Sequence, residues 1–529
     1  MTASTPASTE ADLSTTVGKL QDLRHRLAET LAPAGEAAVD GVHDAGRLTA
    51  RERVTALLDE GSFVEIDALA RHRATSFNLD RSHPVTDGVV TGYGTVDGRQ
   101  VCVFSQDATV FDGTVGETHG EKLVKVMELA ERAGVPLVGI HDSTGARVKE
   151  GVVSLGTAAR LYRLRSRLSG VVPQISVIAG PTAGTEAHQP ALADVVIAVE
   201  GAQLFLTDPE ITRSIVGAEV TAEELGGAAV LAANGTSHLT AADETAALAL
   251  VRDVLSQLPS NNRALAPETA PIAVEGTGTL DTVVPDSPLA GYDMADVLAG
   301  VVDPGSLLEL SADHAGNIIT AFARITGRAV GVVASQPLVL AGAMDAAAAA
   351  KAARFVRMCD AFNIPLVFFV DSPGFMPGAQ EEQAGLVRRS AALFSAVADA
   401  SVGILTVVVR KAFGSSYIAL GSKNMGADLV LAWPSAQISH ADAANTVTAV
   451  HADTLAKAAR KRKDVVALRT QLTEEIEDSL ITPYAAASRG YVDAVIVPSE
   501  TRARLADGLA LLERKVIPVP ERKHDNLPL

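Results

Sequence analysis

Two short stretches of this chain carry groups able to stabilise a developing negative charge without a metal. Ala183-Gly184-Thr185-Glu186-Ala187 and Phe413-Gly414-Ser415-Ser416-Tyr417 each follow an apolar run and open a stretch of small, helix-compatible residues. A glycine turn between a buried strand and a helix presents backbone N–H groups without intrahelical acceptors, at the positive end of the helix dipole. Such a turn holds an anion or an oxyanion. Glycine at a single turn is often there only to permit tight strand-to-helix geometry. This chain has two such turns, and a second matched pair, Asp142-Ser143-Thr144-Gly145 and Asp371-Ser372-Pro373-Gly374, accompanies them. The duplication favours two oxyanion sites serving two charges. No His or carboxylate pair has a spacing specific for metal ligation, so no metal is expected.

The elements that must hold these turns repeat as well. Asp371 lies 229 residues after Asp142, Gly414 lies 230 after Gly184, and Asp428 lies 234 after Asp194. Gly98-Arg99 with Ser105-Gln106 likewise matches Gly327-Arg328 with Ser335-Gln336. Each half repeats an apolar strand, a glycine turn and a helix, as in Gln174 to Ala179 before Gly184 and Gly403 to Val409 before Gly414. The class is therefore α/β with two homologous halves. The Pro-, Thr- and Gly-rich stretch from Ala264 to Thr279 has linker composition, which sets domains at 17–270 and 271–529. Residues 1–16, rich in Ser, Thr and Ala, are expected to be a disordered tail, and Val17 to Ala32 an amphipathic helix.

Composition bounds the function. A chain of 529 residues with 47% hydrophobic content has ample apolar surface for large cores, which excludes global disorder. Aromatic residues are only 4%, so those cores are built from Ala, Val, Leu and Ile, as suits buried parallel strands. The formal net charge of −18 repels phosphate backbones, and nucleic acid is not an expected partner. Cys102 and Cys359 sit in apolar patterns and read as free thiols in a reducing compartment. There is no apolar signal-like segment, and the longest uncharged apolar run, Ala329 to Met344, is interrupted by Ser, Gln and Pro. A cytoplasmic protein without a membrane span is the expectation.

Several passages together resemble one family over residues 17–529. They are Leu48-Thr-Ala-Arg-Glu-Arg-Val, Asp87-Gly-Val-Val-Thr-Gly-Tyr-Gly, Leu258-Pro-Ser-Asn-Asn, Lys351-Ala-Ala-Arg-Phe-Val-Arg, Val370-Asp-Ser-Pro-Gly-Phe, Arg410-Lys-Ala-Phe-Gly, Gly490-Tyr-Val-Asp-Ala-Val-Ile and Lys523-His-Asp-Asn-Leu-Pro-Leu. The chain resembles the carboxyltransferase (β) subunit of biotin-dependent acyl-CoA carboxylases, of the propionyl-CoA carboxylase type. The resemblance implies two tandem crotonase-like (ClpP/crotonase, ββα-superhelix) domains, the first holding acyl-CoA and the second, from a neighbouring subunit, holding biotin. It also implies a homo-hexamer of paired trimers, a biotin carboxylase partner, and carboxybiotin on a separate carrier protein, since this chain has no Ala-Met-Lys-Met segment. Carried over by position, Gly184 and Thr185 correspond to the acyl-CoA hole, and Gly414, Ser415 and Ser416 to the biotin hole. Gly145, Ala146, Arg147, His188, Gly374 and Ile418 fall on substrate-binding positions, Ile418 where propionyl-type members commonly carry Asp.

The departures from the family pattern are concentrated at those turns. Gly184-Thr185-Glu186 and Gly414-Ser415-Ser416 stand where the family usually has Gly-Gly-Ala, and Ser143-Thr144-Gly145 where it has Ser-Gly-Gly. Asp208 and Asp442 replace glycine at equivalent turns of the two halves, while Glu186 and His188 replace Ala and, usually, Tyr. His440 and Asp442, two residues apart, are candidates for a pair in which the imidazolium serves as a general acid. The alternatives are helix N-capping by the Asp residues and half-buried, hydrogen-bonded histidines. The cationic run Lys457, Arg460, Lys461, Arg462 and Lys463 is either a solvated face or a contact for CoA phosphates. The leading expectation is transfer of CO2 from carboxybiotin to the α-carbon of an acyl-CoA through an enolate. The alternatives are a biotin-independent member that decarboxylates an enolisable thioester, and a catalytically silent structural subunit.

Overall fold

The computed structural model describes residues 11–287, 290–518, 521–524 and 526. Most of the expected N-terminal tail and part of the C-terminal Lys523 to Leu529 passage lie outside the described residues. Thr15 caps the first helix, Thr16–Glu29, by accepting the Gly18 N–H at 3.0 Å. The chain divides into two compact units, one ending at Arg252 and the other beginning at Asp253.

The first unit is built on one sheet. Its strands are β1 (Val64–Ile66), β2 (Val89–Val96), β3 (Arg99–Gln106), β4 (Leu137–Ser143), β5 (Gln174–Ala183), β6 (Val195–Val199), β7 (Gln203–Phe205) and β8 (Leu239–Ala241). The order is β1-β2-β3-β4-β5-β6-β8, antiparallel from β1 to β3 and parallel beyond, with β7 attached to β5. The second unit repeats the plan with β9 (Leu308–Leu310), β10 (Ile318–Ile325), β11 (Arg328–Ser335), β12 (Leu366–Ser372), β13 (Ile404–Phe413), β14 (Leu429–Ala432), β15 (Gln437–Ser439) and β16 (Ala494–Val495). Its order is β9-β10-β11-β12-β13-β14-β16, with β15 attached to β13. The central strands are mostly Val, Ile, Leu and Ala, broken by a single buried Ser176 or Thr406 in their pairing segments, because both of their faces are covered.

Two irregularities in each sheet position the site. Strand β5 pairs through Ile175–Ile178 with β6 and through Pro181–Ala183 with β7, and β13 forks in the same way, through Leu405–Val408 to β14 and Lys411–Phe413 to β15. The fork ends at Gly184 in one unit and Gly414 in the other. The β4/β5 register slips between His141 and Ser143, and the β12/β13 register between Val370 and Ser372. Asp142 and Asp371 sit at these slips and are held there. Asp142 accepts Arg53 Nη1 at 3.0 Å and also pairs with Arg47, while Asp371 accepts Arg410 Nε at 3.0 Å and Tyr292 OH at 2.9 Å.

Compactness divides the chain at Arg252/Asp253, inside the helix Glu244–Gln257, whereas linker composition points to a change near residue 270. The stretch of linker composition is tied into the second unit: Arg324 donates to the Ser256 and Pro267 carbonyls, both at 2.6 Å, and Asn363 Nδ2 to those of Asn262 and Ala264. One expectation needs correction, and it is one of register. Ser105 pairs with Ile140 and Ala334 with Phe369, so strand geometry sets Gln106 opposite the place of Ser335, not Gln336. Both cysteines are buried free thiols. Among the described residues no helix is long and apolar enough to cross a membrane.

Candidate functional site

In the first unit β5 ends at Gly184, whose φ of +58° favours glycine. A 3-10 turn, Gly184–Ala187, and the short helix His188–Ala191 follow, so the amides of Gly184 and Thr185 precede any intrahelical acceptor. The Gly145 turn packs on the end of β5: at φ +114°, an added Cβ on Gly145 would lie 3.0 Å from the Ala183 carbonyl oxygen. Val115 N–H donates to the Gly145 carbonyl at 2.9 Å, and Ala146 bridges to Val115. Gly145, Ala146, Gly184 and Thr185 are therefore brought together. Arg147 is otherwise employed. Its buried guanidinium reaches Asp87 Oδ1 at 2.7 Å, Glu150 Oε1 at 3.1 Å and the Thr114 carbonyl at 2.8 Å, and it fixes the turn from behind.

Thr185 is anchored by the Tyr162 hydroxyl, which donates to its carbonyl, and its own Oγ1 is buried without a partner among the described residues. His188 is exposed and meets Tyr162 edge-on, with ring centroids 5.7 Å apart. Glu186 is fully buried. Its Oε2 accepts Gln106 Nε2 at 3.2 Å and Gln189 Nε2 at 3.5 Å, and burial pushes its carboxyl up to about 7 against the opposing hydrogen bonds and Arg165.

The second unit repeats the turn. Gly414 has φ +61°, the helix Gly414–Ala419 follows, and an added Cβ would lie 3.3 Å from the His440 carbonyl oxygen, so the strand-β15 turn rests on Gly414. Ser416 is buried and faces inward, its Oγ 3.1 Å from Ser372 Oγ and donating to the Phe413 carbonyl. Ser372 Oγ also accepts the Gly374 N–H at 3.4 Å, which joins Gly374 to the same group. Ser415 is exposed, as is Ile418 at 45%. The proposed His440–Asp442 pair is not formed. Asp442 caps the helix Ala443–Val450, accepting Asn445 N–H at 2.8 Å and Asn445 Nδ2 at 2.7 Å, and the His440 side chain is exposed. Asp208 does the same for Pro209–Val216 by accepting Glu210 N–H at 2.8 Å. Both aspartates are thus N-caps, a role that a replaced glycine at that turn permits.

Comparison with known proteins decides the family. A model of the carboxyl transferase domain matches residues 41–527. The chain belongs to the carboxyl transferase family. Among its relatives, the biotin-dependent acetyl-/propionyl-coenzyme A carboxylase beta5 subunit of Mycobacterium tuberculosis is 52% identical, over 98% of this chain and 96% of that protein. The methylmalonyl-CoA decarboxylase subunit alpha of Propionigenium modestum is 41% identical, over 98% of this chain and 100% of that protein. A crystal structure of transcarboxylase 12S, a hexamer assembly with methylmalonyl-coenzyme A and methylmalonic acid bound, superposes with a TM-score of 0.93 at 43% identity, covering 97% of this chain and 99% of that one. The α/β fold of two tandem crotonase-like units, expected from the resemblance, is that of this family, and the chain is an enzyme subunit of the carboxyltransferase type.

Sequence reasoning missed the residues behind the first turn. Tyr162, Arg165, Gln106 and Gln189 come from three separate segments, and no spacing joins them. The one available signal was Glu186 itself, a carboxylate in an apolar stretch.

Proposed function

We propose that this carboxyltransferase moves a carboxyl group onto the α-carbon of an acyl-CoA, with carboxybiotin carried by a separate protein of a biotin carboxylase system. The observation that carries the reading is the duplicated fork, two left-handed glycines each ending a central strand and each opening a helical turn whose first amides have no intrahelical acceptor. Two oxygens become anionic in this transfer, and two turns are available for them. The names of the relatives, a biotin-dependent carboxylase subunit and a methylmalonyl-CoA decarboxylase subunit, support an acyl-CoA of short chain as substrate.

In this reading the amides of Gly184 and Thr185 hold the thioester oxygen while the α-carbon loses its proton and gains the new C–C bond. Gly145 and Ala146 back that turn, and Arg147 fixes it through Asp87 and Glu150. Carboxybiotin, when presented by its carrier, supplies both the carboxyl group and the base that takes the α-proton. The second turn fits a flat, weakly polar ring. Ser416 points its hydroxyl into the protein, and the Asp442 carboxylate is used by Asn445, so these two departures are taken up by the protein's own contacts. Ser415, Ile418 and His440 are the exposed side chains at that turn, and backbone amides of Gly414 and Ser415 would hold the ring oxygen. The units are acyl-CoA side and biotin side of a site shared between neighbouring subunits, and the hexamer assembly of the related transcarboxylase 12S supports a hexamer as the working form.

The test combines the purified protein with biotin carrier, biotin carboxylase, bicarbonate, ATP and a panel of acyl-CoAs. Carrier-dependent carboxylation of at least one acyl-CoA, by a hexamer in light scattering, is the expected result. Turnover without carrier would favour the biotin-independent reaction, and a stable monomer would remove the shared site.

A further inference from the structure

Beneath the helix Val152–Leu168, the first unit buries a group of polar side chains on one face of its sheet. Gln106 comes from β3, His141 from β4, Ser176 from β5 and Arg165 from the helix, with Glu186 and Gln189 just beyond the Gly184 turn, and each is fully or almost fully buried. Gln106 is the link. Its Nε2 donates to Glu186 Oε2 at 3.2 Å, and its Oε1 accepts the Asp142 N–H at 3.1 Å. That amide lies at the slip between His141 and Ser143 that leads into the Gly145 turn. One carboxyl is therefore connected to both chain segments that form the first hole: through its own backbone to Gly184, two residues away, and through Gln106 to the strand that ends at Gly145.

The second unit provides the comparison. Strand register sets Ser335, Val370 and Thr406 at the places of Gln106, His141 and Ser176, and counting on from Gly184 and Gly414 sets Ser416 and Ala419 at those of Glu186 and Gln189. The same turn is thus built there with no ionisable side chain at these positions, so the fold does not require the charged group. Burying ionisable groups is costly unless they are fully paired. Glu186 is not, for its Oε1 has no hydrogen-bond partner among the described residues.

We propose that Glu186 is a positioning residue that sets the charge behind the first hole. When protonated it leaves the ground under Gly184 and Thr185 neutral, and when ionised it opposes an oxyanion there. The inference rests on the reading of that turn as the thioester-oxygen site. Charged and titratable groups face it from several elements. Arg165, from the helix, favours the ionised form, while Tyr162 on the same helix is itself pushed up by burial and by Glu186. His141 is held neutral by burial and Arg165, Asp194 offsets part of the Arg165 charge, and Asp142 beyond Gln106 is taken by Arg47 and Arg53. Burial outweighs these and brings the carboxyl to about 7, within the working range of pH.

The experiment measures binding of a CoA derivative in which a nitronate, a stable mimic of the enolate, replaces the thioester. Full-length wild type, Glu186→Gln and Glu186→Ala are titrated calorimetrically at pH 6 and pH 9. The ratio of wild-type to Glu186→Gln Kd is expected to rise on the order of tenfold between the two pH values, as a nearby like charge would produce. The Ala variant, which carries the residue usual in the family, follows the same trend and covers the case in which Gln perturbs folding. A ratio that stays constant with pH in both variants overturns the proposal, as does a wild type that binds no nitronate at either pH. Failure of carboxyl transfer with the pH-dependent ratio intact would reject the activity proposed above and leave this inference standing.

Discussion

Gly184 and Gly414 hold nearly the same backbone conformation, φ +58° and +61°, and crowding is not the cause at Gly184, where an added Cβ would meet nothing within 4 Å. Glycine supplies conformation there. That decides which substitution tests the first hole. Proline needs a φ near −65° and cannot take the place of Gly184 without rebuilding the turn. Thr185 is outside the left-handed region and lies in the first helical turn, where a proline ring is tolerated. Thr185→Pro should remove one N–H donor and lower kcat by roughly 10² to 10³ with the protein still folded, whereas Thr185→Gly keeps the donor and its turnover. Equal kcat in the two variants would place the oxyanion elsewhere. Glu186 makes a separate prediction about stability. Its carboxyl is raised from 4.5 to about 7 on folding, so the folded state binds the extra proton between those values. Stability tied to that proton is present below about 4.5 and is lost as pH rises through 7, a change of about 3 kcal/mol at full ionisation. Urea unfolding of wild type and Glu186→Gln at pH 5 and pH 8 should show the wild type losing ground at pH 8; parallel behaviour would mean that the carboxyl is ionised throughout.

The hairpins β2/β3 and β10/β11 are each fastened to the next helix by a buried lysine that, among the described residues, has no carboxylate in hydrogen-bond reach. Lys351 Nζ donates to the Ser311, His314 and Ile318 carbonyls at 2.8, 2.9 and 2.8 Å, and Lys122 Nζ donates to those of Thr86 and Val89. The chain enters each hairpin through left-handed residues, Thr86 and Asp87 in one unit, Ser311 and Ala315 in the other. Their carbonyls point inward and need a donor. Burial pushes both ammoniums down to about 8, and they persist because the carbonyls would otherwise be unpaired. Lys351→Met, similar in volume but without donors, should cost about 3 kcal/mol in urea unfolding, and a loss under about 1 kcal/mol would show that water or a shifted loop replaces the ammonium. The strand-turn-helix repeat was legible in the sequence because apolar runs and glycine turns recur in order. The closing of these hairpins by lysine was not, since a lone Lys in a helix reads as a solvent-facing charge until its burial is known. The fastening of the linker stretch was hidden for a related reason. Pro, Thr and Gly between Ala264 and Thr279 have linker composition, but Arg324 and Asn363 supply donors for carbonyls at Ser256, Asn262, Ala264 and Pro267.

On the scale of the whole molecule the two units keep one topology while their surfaces diverge. The offset between equivalent strands grows from 234 residues at β7/β15 to 255 at β8/β16. The difference is taken up between Ala443–Val450, the counterpart of Pro209–Val216, and Pro483–Ala487, the counterpart of Ala228–Ala233, by the helices Ala452–Arg460 and Val465–Ser479, which pack around Val447, Leu455 and Ile476. This helical insert carries Lys457, Arg460, Lys461, Arg462 and Lys463, all exposed and none in an ion pair among the described residues. On a chain of net charge −18, five cations in seven residues are a local inversion of sign. Such a patch draws an anion, and the anion that the proposed reaction brings is the phosphate-bearing end of CoA. The alternative is a face whose only role is solvation. Substrate length separates the two. With an acyl-CoA, the double variant Lys461→Glu, Arg462→Glu should raise KM about tenfold at low salt, an effect that shrinks as ionic strength screens it. With the same acyl group on a short thiol lacking phosphates, wild type and variant should share one KM. A KM that is unchanged for both substrates assigns the run to solvation, and one raised equally for both indicates a disturbed fold rather than a lost phosphate contact.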